Sequence, residues 1–206
     1  MNNIHHAEHA GCSFNIVHED DQADNFMIDA IRCGIVWPTS EAPGYFCTIG
    51  RRPDYNDQHK KPLVLLTEGE YELPKDLIQA ISGQVTVMKC KAFYTDVNER
   101  TVVFIDDLET YLSRFHPGST TIDAPYLRDW IMGVLSVQQW MHDKSLEFIE
   151  NSLMLKQIKG MVHPDDKDEA NRGRLYAVDA LRTVLGSFEL QPCPPVVIKK
   201  SGYVYT

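Results

Sequence analysis

Apolar positions along this chain repeat first with one period and then with another. Over residues 22–33, Phe26, Met27, Ile28, Ala30 and Ile31 supply an apolar helical face behind Asp24, a suitable N-cap, and Gly34 is expected to stop that helix. Trp37-Pro38 and Ala42-Pro43-Gly44 punctuate the chain as turns. Tyr45-Phe46-Cys47-Thr48-Ile49 then reads as a compact strand ending at Gly50. Residues 51–61 are charged and polar and read as an exposed loop. Residues 62–67 form a second apolar run without alternation, which predicts a strand buried on both faces. A helix is expected over 73–82, with Pro74 in the first turn, where its missing N–H costs nothing, and Gly83 closing it. A long strand is expected over 85–96, with a change of phase that places a bulge near Met88, and a further strand over 101–105 ending in Asp106-Asp107.

Beyond residue 107 the spacing becomes helical. Helices are expected over 107–115, 126–141, 145–161 and 169–188, followed by an extended tail from Pro192. This order predicts an α/β fold, a mixed sheet flanked by helices with a helical C-terminal half. Residues 1–21 are polar and read as a loose N-terminal arm, and residues 22–206 as a single domain.

Composition narrows the picture. The 206 residues are 43% hydrophobic and 24% charged, enough for a full core. The net charge is −9 and the pI about 5.3. A module that grips nucleic acid through phosphates presents a basic surface, so this balance opposes a simple DNA-binding module. It leaves room for a nuclease, whose metal site needs clustered carboxylates. Lys60-Lys61, Arg51-Arg52 and Lys199-Lys200 are the adjacent basic pairs, and they read as loop or tail charges. The five cysteines are scattered without C-x-x-C spacing, the pattern of reduced thiols in a cytoplasmic protein. No signal peptide and no apolar run of membrane-spanning length is read, so no membrane partner is expected.

Candidate chemistry lies in the acids at strand ends. Asp96 closes the run Ala92-Phe93-Tyr94-Thr95, and Asp106 and Asp107 follow the next predicted strand. Acids there point into the crevice at a sheet edge, where ligands and metals bind. Two or three of them can hold Mg²⁺ or Mn²⁺ and activate water against a phosphodiester. The plain alternative for Asp106-Asp107 is a turn or helix cap. Val103 to Asp107 also looks like a Walker B strand, but the chain has no Gly-rich Lys-Ser/Thr loop, which excludes a P-loop NTPase. His5, Glu8 and His9 would share a helical face able to bind a metal, or are simply solvated terminal residues. Glu68, Glu70 and Glu72 alternate along an extended stretch, as an acidic binding edge or the solvent side of a strand.

Tyr176-Ala177-Val178-Asp179-Ala180-Leu181-Arg182 resembles the last helix of the nuclease domain in large terminase subunits of tailed phages, a ribonuclease-H-like family. The resemblance implies that Asp179 completes a cluster of metal-binding carboxylates and that Asp96 is its middle acid, both catalytic. It also implies Mg²⁺ or Mn²⁺ as cofactor and DNA as substrate. The family's first acid sits in the first strand beside a glycine. In this chain that strand is taken to be Thr48-Ile49-Gly50-Arg51-Arg52, which carries no acid; Asp54 would substitute if its loop folded back, and Asp106 or Asp107 are the other third candidates. For Asp179 the alternative is a helix-pairing acid, with Arg182 three residues on. Two functions therefore stay open: a metal-dependent nuclease of phage or prophage type, or a non-catalytic relative of one, and a non-enzymatic acidic domain that binds a protein partner.

Overall fold

The computed structural model describes residues 5–9, 12–17, 31–51, 63–118, 120–126, 128–142, 146–149, 151–160 and 175–189. Its strands are β1 (His5–His9), β2 (Cys12–Val17), β3 (Ile31–Val36), β4 (Gly44–Arg51), β5 (Leu63–Tyr71), β6 (Ala92–Thr95), β7 (Thr121–Asp123) and β8 (Leu146–Ile149). Its helices are α1 (Pro74–Val87), α2 (Val102–Phe115), α3 (Trp130–His142), α4 (Leu153–Gly160) and α5 (Tyr176–Glu189). The strands form one mixed sheet in the order β1-β2-β8-β5-β4-β3-β6-β7. β3, β4 and β5 run antiparallel as a meander, while β6 lies parallel to β3 and β7 parallel to β6. The α/β class expected from the sequence is the class observed.

Side-chain alternation across this sheet builds two cores. Cys33, Ile35, Phe46 and Phe93 point to one face and pack against α1 and α2 through Leu77, Ile78, Ile81, Ile105, Leu108 and Leu112. Tyr45, Cys47, Ile49, Leu63, Leu65 and Tyr94 point to the other, beneath α3, α4 and α5. The unbroken apolar runs of β4 and β5 are what a central strand covered on both faces requires. Among the described residues no helix is long and apolar enough to cross a membrane.

Several elements differ from expectation, each for a local reason. The first central strand, β3, begins at Ile31, at the end of the helix expected over 22–33; the rest of that helix lies outside the described residues. Gly34 lies inside β3 and is no helix stop. α1 continues through Gly83 to Val87. Its end is set by Lys89 in a left-handed conformation (φ 57°), with the N–H groups of Met88 and Cys90 both donating to the carbonyl of Gln84. The expected strand over 85–96 therefore shrinks to β6, without a bulge at Met88. Residues 102–105, read as a strand, are the first turn of α2. The single helix expected over 145–161 divides into β8 and α4. Residues 5–9 and 12–17 pair as β1 and β2, and β2 joins the sheet through β8.

Glu68 of β5 governs where α4 begins. Its carboxylate accepts from the backbone N–H of Leu153 (2.6 Å) and Met154 (3.3 Å), from Ser152 Oγ (3.1 Å), and from the Tyr45 hydroxyl. A negative charge at a helix N-terminus satisfies orphan donors and opposes the helix dipole favourably. Glu70 accepts a hydrogen bond from Tyr176 on α5 at 2.7 Å. The alternating acids Glu68 and Glu70 are thus engaged with the helical layer rather than forming an open acidic edge.

α5 seats directly on the sheet because β3 offers no side chain at Gly34. A Cβ there would lie 2.0 Å from the Ala180 carbonyl oxygen and 2.8 Å from Thr183 Oγ1. Thr183 Oγ1 donates in turn to the Tyr94 carbonyl (3.2 Å), which ties α5 to β6. Gly34→Ala should therefore cost about 3 kcal/mol or more, since the obstructing atoms are backbone. A Cβ at Gly83 meets nothing within 4 Å, so Gly83→Ala in α1 should stabilise by about 0.5–1 kcal/mol. Urea denaturation of both variants checks the opposite signs.

Candidate functional site

The parallel strands β3 and β6 end side by side beneath α5, and Asp96 follows β6 at that end. The turn after Asp96 is tightly specified. Asn98 Oδ1 accepts from the N–H of Arg100 (2.9 Å) and Thr101 (3.2 Å), and Thr101 Oγ1 donates to the Asp96 carbonyl at 2.8 Å. This local side-chain bonding is the reason Asn and Thr favour turns. It directs the chain into α2 and holds Asp96 at the sheet edge.

Asp179 comes from the first turn of α5, with Arg182 one turn on. Arg182 joins the two acids. Its Nε lies 2.6 Å from Asp179 Oδ1, and its Nη2 lies 2.5 Å from Asp96 Oδ2. Arg182 is 1% exposed and Asp179 4%, while the Asp96 side chain retains 26% exposure. The planar guanidinium has its donors fixed in a fork, so one group can satisfy carboxylates from two directions. Charge-assisted bonds of this length are the strong kind.

Room for the arginine is made by α3. Asp129 caps this helix, its Oδ1 accepting from Met132 N–H at 2.9 Å. One turn in, Gly133 faces α5. A Cβ on Gly133 would lie 2.1 Å from Arg182 Cγ and 2.2 Å from its Cδ. The aliphatic stem of Arg182 thus occupies the volume that any other residue at 133 would fill.

A cavity of about 400 Å³ opens beside Asp96, lined by Asp96, Val97, Asn98, Ala124, Pro125 and Arg128. It lies outside the carboxyl ends of β6 and β7, the usual crevice for ligands in an open sheet. Arg128 brings a second cation to this crevice.

The sequence candidates fall into distinct places. Asp96 and Asp179 are brought together, through Arg182. Asp106 and Asp107 are exposed on α2, away from the pair. Asp54 lies outside the described residues. The strand beside Asp96 is β3, not the 48–52 segment expected to be the family's first strand. β3 reads Ile31-Arg32-Cys33-Gly34-Ile35-Val36, with no acid. In the parallel register Ile35 stands opposite Thr95, so Val36 comes next to Asp96, and it packs on the α5 side of the sheet. Among the described residues no group of three or more His, Cys, Asp or Glu side chains could hold a metal ion. A two-metal centre needs several carboxylates with free lone pairs. Here a valine stands next to Asp96 on β3, and guanidinium donors occupy an oxygen of each acid. As arranged, these residues do not fit a divalent cation. His5, Glu8 and His9 lie on β1, a strand rather than the helix expected of them.

Sequence reasoning did not single out Gly133 or Val36, and it saw Arg182 as a partner of Asp179 alone. A small residue on a helix facing a long cation carries no signal in one sequence. The Asp179–Arg182 spacing of three was the available clue.

Among the described side chains no thiol nucleophile is built. Cys33, Cys47 and Cys90 are fully buried, and burial raises each thiol pKa, that of Cys90 to about 12. Single-cysteine variants keeping one of these three should react with Ellman's reagent at pH 8 at least tenfold more slowly when folded than in denaturant. Rapid native reaction would contradict this burial.

Replacing Arg182 with methionine keeps much of the volume and removes the charge. Both carboxylates then lose the cation that joins them, at a cost of about 3 kcal/mol. Adding Asp179→Asn to Arg182→Met should recover a large part of that loss. A double-mutant cycle in denaturant measures the coupling, and an additive cycle would contradict the bridge.

No protein-family model matches the chain, and no curated protein sequence does. Solved structures do. The large terminase of a thermophilic bacteriophage superposes with a TM-score of 0.58 at 12% identity, over 84% of this chain and 41% of that one. The chain thus spans about two fifths of that terminase's length. The nuclease domain of the bacteriophage SPP1 large terminase, solved with bound Mn, gives 0.48 at 12% identity over 79% of this chain and 93% of that one. The human cytomegalovirus terminase nuclease domain gives 0.46 at 9% identity over 84% and 89%. With its β5-β4-β3-β6-β7 core and flanking helices, the chain shares its fold with part of that bacteriophage large terminase.

Proposed function

We propose that this chain is a non-catalytic relative of the phage terminase nucleases, a nuclease-fold domain that acts by binding rather than by cleaving. One observation carries the reading. Arg182, buried and seated against Gly133, makes charge-assisted bonds to both acids that a nuclease would offer to metal. The valine next to Asp96 on the adjacent strand supports it, because the third carboxylate has no counterpart there.

The phage or prophage setting and a link to DNA packaging are supported by the fold shared with the large terminase of the thermophilic bacteriophage. A net charge of −9 favours a protein partner over a bare DNA duplex, since phosphate contacts need a basic surface. An acidic protein-interaction domain is the form this reading takes.

The competing reading, a Mg²⁺- or Mn²⁺-dependent endonuclease, draws on the convergence of Asp96 and Asp179 at one end of the sheet. Incubation of supercoiled plasmid with the wild-type protein and millimolar Mn²⁺ separates the two. The expected result is no nicking or linearisation above that of buffer with Mn²⁺. Cleavage that requires metal and is lost in Asp179→Ala would establish the nuclease instead.

A further inference from the structure

The outer face of α3 breaks the pattern that α1 and α2 follow, and we infer that it is a dimer interface, at which α3 of one copy lies antiparallel against α3 of a second. The inference is independent of whether the acid pair holds metal.

A helix at the surface buries one stripe and turns charged or polar side chains to water. α1 and α2, on one side of the sheet, do this. Lys75 and Asp76 are exposed on α1, and Asp106, Asp107, Glu109 and Arg114 on α2. On the other side α5 is buried from Ala177 to Phe188, and α3 packs over it. α3 seats itself through Trp130, Val134, Val137, Trp140 and Met141, all buried. Yet none of its 13 residues is Lys, Arg, Asp or Glu. Its outward positions instead carry Ile131, Met132 and Leu135, which are 48%, 54% and 37% exposed. Leu135 is four residues from Ile131 and three from Met132, so the three form one patch on a single face. Apolar surface gathered in this way marks an interaction site.

Charge selects the occupant. A partner recognised by opposite charge needs countercharges on this face, and α3 supplies none. The chain carries −9 overall, so two copies repel where their charged surfaces approach. An uncharged helix face lets them meet without like charges at the centre. A two-fold contact also requires a patch that complements itself, which a row of aliphatic side chains and a methionine does. The direction follows from the helix ends. A parallel pair would set Asp129, the cap of α3, against its own copy. An antiparallel pair sets each capped N-terminus beside the uncharged C-terminal half of the other helix and opposes the two dipoles. Three half-exposed side chains fall short of the roughly 800 Å² per partner of a standard interface, so the dimer is weak, with a dissociation constant on the order of 10–100 µM.

Sedimentation velocity on the full chain from about 1 to about 500 µM tests this. Wild type should pass from monomer to dimer across that range. Raising NaCl from about 50 to about 500 mM should tighten the dimer, because screening removes repulsion between acidic bodies and leaves the apolar contact. Met132→Glu and Leu135→Glu should each weaken it about tenfold or more. Val103→Glu, at an exposed apolar position on α2, should leave it unchanged. Met132→Gln, which keeps length without charge, serves where a glutamate variant folds poorly, as far-UV circular dichroism will show. In a Cys12→Ser/Cys193→Ser background, Leu135→Cys should form a disulfide-linked dimer on mild oxidation, and Tyr126→Cys, before the N-terminus of α3, should not. A chain that stays monomeric throughout overturns the inference and leaves the face to another occupant. A dimer that both glutamate variants preserve, or that Val103→Glu weakens equally, lies elsewhere and overturns it too. Cross-linking through Tyr126→Cys instead of Leu135→Cys overturns the antiparallel arrangement.

Discussion

A guanidinium buried between two carboxylates is the constraint around which this fold is arranged. Taking a charge out of water is costly, and the attraction between partners offsets it only when geometry is good and each hydrogen-bonding group is met. For Arg182 that geometry draws on three elements at once. β6 must end at Asp96, α5 must present Asp179 one turn before the arginine, and α3 must carry a glycine where the stem passes. Gly34 belongs to the same arrangement, because α5 reaches the sheet closely enough only where β3 has no side chain. A buried ion pair is weak evidence for stability, but it is strong specification of which surfaces must meet.

The legible part of the fold was the part in which local pattern and tertiary role agree. β4 and β5 have continuous apolar runs because both faces are covered, and α5 has a helical period because it lies on the sheet. Asp96 and Asp179 were identifiable for a related reason: one follows an apolar strand and the other sits in a helix phrase whose acid and arginine share a face. Residues 101–105 misled because Thr-Val-Val-Phe-Ile is β-branched and aromatic. The Asn98–Thr101 turn, held by side-chain bonds to backbone, starts α2 there in spite of that preference. The end of α1 misled in the opposite sense. A glycine was available as a stop at 83, yet the left-handed residue is Lys89. Packing of Ile81 and Val85 into the core carries the helix past the glycine.

The first central strand was assigned one strand too late, and this mattered most for the site. Ile31–Val36 has one arginine and one glycine among apolar residues, so its period is ambiguous between helix and strand. Its identity as a strand comes from pairing with β4 and β6, partners that lie nine and more residues away. Gly133 was silent for the same reason. A missing Cβ has meaning only against the side chain that fills its place, and Arg182 lies almost fifty positions further along the chain.

In the proposed reading a side chain stands where a nuclease would hold an ion, and that changes what the crevice can do. A metal ion exchanges, polarises the groups it binds and lowers the pKa of coordinated water, whereas a guanidinium stays protonated and tethered and has no open position. The acid pair carries two negative charges and Arg182 returns one. Arg128 at the cavity wall adds a further positive charge. The built-in cation serves the framework first: it lets two carboxylates stand at the junction of β6 and α5.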